Sequence, residues 1–235
     1  MPADVIAGVD GCPGGWYLVQ ARLEGGAVEG RVCRSFAELL QTLPPSALIA
    51  VDMPIGLLDA GARACDVQAR ALLGRRGSSV FPAPLRGVLG AATHVEASAR
   101  ARALDGRGMS IQAYNILRKV EEVDAALCAD ARAAARTFEV HPEVSFAQLN
   151  GGPALLQGKK SADGHAQRRA LLEVQFPGQL APLLGAHPRR QVQADDVLDA
   201  LACLWSARRL ARGQALCLPA QPPRDACGLR MAIQA

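Results

Sequence analysis

The chain has 235 residues, half of them apolar and 20% charged, so it can bury a substantial core; a disordered or fibrous chain is excluded. Its net charge of +4 is only mildly basic, which allows a polyanionic partner without requiring one. The seven cysteines are scattered, with no C-x-x-C, and no run approaches ~18 apolar residues, so a disulfide framework, a cysteine zinc site and a membrane span are not expected. A reduced, cytoplasmic, soluble protein is the expectation.

Residues 4–10 read as a short, uniformly apolar strand ending on Asp10. Pro13-Gly14-Gly15 turns the chain, and Trp16 to Arg22 reads as a second strand. Gly25-Gly26 marks a hairpin turn into a third strand, Ala27 to Arg34. Ser35 and Glu38 form a capping box for a helix from Phe36 to Leu43, which Pro44-Pro45 ends. Ala47 to Asp52 is a fourth strand, reached through that helical crossover and so able to lie parallel to an earlier one. Residues 57–135 read as a helical insertion rich in Ala and Arg, broken by the loop at 74–87. Thr137 to His141 is a fifth strand, 143–193 holds short helices, and Asp195 to Arg212 is a long apolar helix with a basic last turn. The order predicts one α/β domain over 1–235: a mixed five-stranded sheet, a three-strand meander plus parallel strands, flanked by helices.

Two of these strands end on a carboxylate. Strand alternation places Asp10 on one face with Gly8 and Ile6, and Asp52 on one face with Ala50 and Leu48. The small residues Gly8 and Ala50 leave room for another element to approach. If strands one and four are adjacent, the two carboxylates lie roughly ~5 Å apart and repel by about 3 kcal/mol at an effective dielectric near 20. A shared proton, a basic side chain or a divalent cation must offset that. The last helix adds Asp196 and Asp199, three residues apart on one face, with Asp199 set in an apolar run. Asp195 as N-cap and Asp196 as a first-turn acid would need no active site. Glu139 and His141 alternate onto one face of the fifth strand, and Glu143 follows; Glu143 can equally begin a helix, and His141 can serve a backbone group. Carboxylates from separate elements, with few His, suit Mg²⁺ or Mn²⁺ and phosphoryl displacement by water.

The insertion carries the basic candidates. Arg63, Asp66 and Arg70 fall on one helical face; Arg75, Arg76, Ser78 and Ser79 follow in a Gly-flanked loop able to grip a phosphate. Gln112, Asn115, Lys119 and Glu122 fall on a further helical stripe, and Gly158-Lys159-Lys160 is another basic loop. Solvated faces with internal ion pairs would account for the same residues.

The motifs GVDGCPGGW, VDMPIGL, RACDVQAR, SSVFPAP, FEVHPEVSF and DDVLDALA together resemble the family known as domain of unknown function 429, described as predicted RNase H-like nucleases. The pattern is similar to the Holliday-junction resolvase branch of the ribonuclease H-like superfamily, with Asp52 where that branch has Glu. The resemblance implies Asp10, Asp52, Asp196 and Asp199 as metal-binding acids. It implies a metal-dependent nuclease or phosphodiesterase acting on a nucleic acid or nucleotide, with no membrane partner and a homodimer allowed. A noncatalytic nucleic-acid or partner-binding module is the alternative; an actin-like phosphotransferase or ATP hydrolase is a third, which normally needs two copies of the fold.

Overall fold

A computed structural model describes residues 4–235. The five strands are β1 (Val5–Cys12), β2 (Gly15–Arg22), β3 (Glu29–Cys33), β4 (Leu48–Val51) and β5 (Thr137–Glu139). They form one sheet in the order β3-β2-β1-β4-β5. β1, β2 and β3 pair antiparallel, while β4 runs parallel to both β1 and β5. This is the mixed α/β sheet expected from the chain order. The strand ends differ by no more than two residues. β1 runs on past Asp10 to Cys12, because the two-residue turn Pro13-Gly14 folds the chain straight back onto Gly15.

Both faces of the sheet are covered. On one face, Ala7 and Val9 of β1, Trp16 and Leu18 of β2, and Ile49 and Val51 of β4 bury against α1 (Phe36–Thr42) and α5 (Leu117–Ala129). On the other, Ile6, Tyr17, Val19 and Ala50 bury against α10 (Ala194–Ala211) and α7 (Pro142–Leu149). Period-two alternation therefore carries Gly8 and Asp10 to the α10 face. α10 crosses β1, β2 and β4, and its residues from Val197 to Ala207 are buried. Gly8 permits the crossing: a Cβ there would meet Ala200 O at 2.1 Å and Leu204 N at 2.2 Å.

Between β4 and β5 lie α2 (Ala64–Leu73), α3 (His94–Asp105), α4 (Ile111–Asn115), α5 and α6 (Ala131–Arg136). The stripe read as one helix across 110–124 is broken at Ile116, which separates α4 from α5. Glu122 accepts from Trp16 Nε1 (2.9 Å) and Phe36 N (3.0 Å), tying α5 to β2 and the start of α1. After α7 come α8 (Ala162–Gln175) and α9 (Leu180–Gly185). A second, two-stranded sheet of β6 (Cys217–Leu218) and β7 (Ile233–Gln234) has no counterpart in the sequence reading; Gln234 bridges to Val140 just past β5. Strands this short carry too few residues to show alternation. No helix among the described residues is long and apolar enough to cross a membrane.

Candidate metal centre

Three elements deliver the acids. Asp10 lies within β1, Asp52 follows β4, and Asp199 lies in the second turn of α10. Asp52 N donates to Val9 O at 2.9 Å, which extends the β1–β4 ladder and sets the two carboxylates side by side. α10 brings Asp199 down onto them. One carboxylate oxygen from each of the three lies within 4.8 Å of the other two. Asp10 and Asp199 are 8% and 3% exposed, so the group sits at the bottom of a cavity of about 500 Å³.

The crowding has an electrostatic cost that shows in protonation. Burial, then Asp52 and Asp199, push the Asp10 carboxyl well above the usual range, against the pull of Lys159. Burial and then Asp199 raise Asp52 from 3.8 to about 7. Lys159 Nζ donates to Asp199 Oδ2 at 2.6 Å. Burial alone would lower that ammonium, but Asp199 overrides it and the net direction is up.

Asp196 stands apart from this trio. Although it lines the cavity, its carboxylate accepts from Gln193 N at 2.8 Å in a capping box at the start of α10. Gln193, rather than Asp195, is the N-cap residue. The first-turn reading of Asp196 describes this contact, and its carboxylate is not one of the three that converge. Burial raises its carboxyl while the Gln193 N–H works the other way.

Glu139 and Arg63 also take contacts other than those expected. Arg63 is 4% exposed, and its guanidinium donates to Glu139 at 2.7 and 2.8 Å and to Asp66 at 2.5 and 3.2 Å. It also reaches the carbonyls of Ile55 and Gly56, and Glu139 takes a further bond from Ile55 N at 2.7 Å. With its donors spent on buried acceptors, Arg63 clamps the start of α2 to the chain after β4 and to β5. Glu139 is the other half of that clamp and is not a free acid; burial raises its carboxyl and Arg63 opposes the rise.

The remaining basic candidates divide by position. Arg76, Ser79 and Lys119 line the cavity. Arg76 lies 3.7 Å from Glu143. Ser79 Oγ donates to Arg76 O at 2.7 Å. Lys119 Nζ donates to Gly15 O and sits 4.7 Å above the Trp16 ring. Arg70 instead donates to Val80 O at 2.6 Å, bracing the loop. Arg75 and Ser78 are exposed and outside the cavity lining. Of the four polar side chains of the 3₁₀ segment Gly74–Ser79, two, Arg76 and Ser79, therefore line the cavity.

Three residues of the site were underweighted from sequence. Lys159, noted only as part of a basic loop, reaches the acid cluster. His141 lines the cavity, and burial pushes its imidazole below the usual range, which keeps it neutral near pH 7. Glu143 opens α7, as the helix-start reading expected, and both its carboxylate oxygens accept from Arg168 Nη2, at 2.7 and 2.8 Å. Arg168 carried no sequence signal; it is 1% exposed on an otherwise polar-looking helix.

Searches of curated proteins and of solved structures return no match. A family model described as protein of unknown function, DUF429, matches residues 8–224, and with that span covering nearly the whole chain the protein belongs to this family.

Proposed function

We propose that this protein is a divalent-metal-dependent nuclease or phosphodiesterase of the ribonuclease H-like superfamily. The observation that supports it most is the convergence of Asp10, Asp52 and Asp199 from three separate elements, with oxygens within 4.8 Å of one another. Oxygens bound to one Mg²⁺ at about 2.1 Å per bond lie no more than roughly 4.2 Å apart, so a small inward movement of the three carboxylates is enough for them to share an ion. The donor set is all oxygen, which suits Mg²⁺ or Mn²⁺ over softer metals. The sheet order and the helix crossing it are those the superfamily resemblance implies.

A bound divalent ion would supply Lewis-acid polarisation of a phosphoryl oxygen. The chain's own residues would do the rest. Asp10, Asp52 and Asp199 would hold the ion. Arg76 and Lys119, which line the cavity, would hold the phosphodiester oxygens; one Lys119 N–H is committed to Gly15, and two remain. Neutral His141, in the same cavity, can accept a proton. The substrate is a nucleic acid or nucleotide phosphodiester.

The test is cleavage of a panel of single-stranded, duplex and branched DNA and RNA and of small phosphodiesters, with Mg²⁺ or Mn²⁺. The expected result is metal-dependent hydrolysis that Asp10→Asn abolishes. No cleavage of any substrate, or cleavage that survives Asp10→Asn, refutes the proposal.

A further inference from the structure

The cavity contains more carboxylates than the metal trio, and matching them to their partners isolates one uncommon feature. Glu139 and Asp66 are neutralised by Arg63. Glu143 is neutralised by Arg168, with Arg76 nearby. Asp196 is held by a backbone N–H at a helix N-terminus, where negative charge is favoured. Asp10, Asp52 and Asp199 remain, and among the described residues Lys159 is the cation that pairs with one of them, Asp199. Its contribution is fixed by construction. Gly158 O accepts from Ser161 N at 3.0 Å and Ser161 Oγ at 2.9 Å, while Ser161 Oγ accepts from Gly164 N and so caps α8. The residue before Lys159 is thus anchored to the start of a helix, and the side chain projects from that anchor onto Asp199.

We infer that Lys159 stands in the place of a second metal ion, so that the centre takes one divalent cation and uses the ammonium as its other positive charge. This rests on the metal reading above and specifies it. Three ionised carboxylates carry three negative charges, which one divalent ion and one ammonium match. Two divalent ions beside a retained Lys159 would leave the pocket with two excess positive charges before a phosphodiester brings back one. Like charges at contact distance in a buried site are strongly disfavoured. Lys159 Nζ occupies Asp199 Oδ2 at 2.6 Å and Gly11 N occupies Asp10 Oδ1 at 2.6 Å, leaving the second oxygen of each and the Asp52 carboxylate for the single ion. The ammonium, with three N–H donors, is also placed to meet a phosphate oxygen at the site.

The experiment is a calorimetric and equilibrium-dialysis titration of the full chain with Mn²⁺ alone, near neutral pH, counting ions per chain. Wild type is expected to bind one. Lys159→Met is expected to bind two, and Lys159→Arg, which keeps the charge, to bind one. Two ions in wild type, or one in Lys159→Met, overturns the role of the lysine while leaving a metal centre standing. No ion in wild type overturns the metal reading itself and this inference with it. The wild-type count needs no variant, so the inference remains testable even if Lys159→Met folds poorly.

Discussion

Replacing Gly8 by alanine tests whether the fold and the acid cluster are one construction. The added Cβ would lie 2.1 Å from Ala200 O and 2.2 Å from Leu204 N, whereas ordinary contact starts at 3.4 Å. The helix must therefore retreat by about 1.3 Å along that contact. Both obstructing atoms belong to the backbone, so no side-chain rotation relieves them. Overpacking of a core costs typically about 1–3 kcal/mol when side chains can give; here the expected cost is at or above the top of that range. At about 2–4 °C per kcal/mol for a chain of this size, the midpoint of thermal unfolding should fall by roughly 6–12 °C. The same retreat lifts Asp199 away from Asp10 and Asp52, so Mn²⁺ affinity should weaken by about tenfold or more, equivalent to ~1.4 kcal/mol. Circular dichroism melting and Mn²⁺ titration give both readouts. Gly185→Ala is the control: nothing lies within 4 Å of its added Cβ, and no change beyond about 1 kcal/mol is expected. A Gly8→Ala protein that melts and binds Mn²⁺ like wild type refutes the close helix–sheet approach and the argument built on it.

Removing one partner of the buried Arg63 clamp should be severe: Arg63→Met leaves Glu139 and Asp66 uncompensated and should cost about 3–5 kcal/mol in urea unfolding, with part recovered in Arg63→Met/Glu139→Gln. Without metal, stability should fall as pH rises from about 3.8 to about 7, because Asp52 keeps its proton in the folded state over that window and the unfolded chain does not. The slope is up to ~1.4 kcal/mol per pH unit for that one proton, and Asp52→Asn should flatten it; an unchanged slope counts against the crowded trio. Saturating Mn²⁺ should reverse the trend, since the ion favours ionised carboxylates. Asp10→Asn should raise the metal-free melting temperature by a few degrees while lowering Mn²⁺ affinity, a pair of opposite shifts that an acid with no crowded neighbours would not produce.

Much of the frame was legible along the chain because its signals are local. The apolar run before Asp10, the Gly/Pro turn after it, the capping box at Ser35 and the apolar stretch around Leu201 each depend on neighbouring residues, and they yielded the order of elements, the mixed sheet and the last helix. Alternation alone put Asp10 with Gly8 and Asp52 with Ala50, on the face that α10 covers. The short β6 and β7 were illegible because two residues show no period.

What tertiary structure decided was which charges are free. From sequence, Arg63, Arg76, Lys119 and Lys159 are all basic residues in polar stretches, and Asp196 and Asp199 share one helical face, with Asp196 also readable as a first-turn acid. Folding separates them: Arg63 is spent on Glu139 and Asp66, Asp196 on the Gln193 N–H, while Asp199 meets Asp10 and Asp52 and draws in Lys159. The physical reason is that an ion pair is a property of distance and burial between residues remote in sequence. The chain determines the charges it carries; packing determines which of them are brought together.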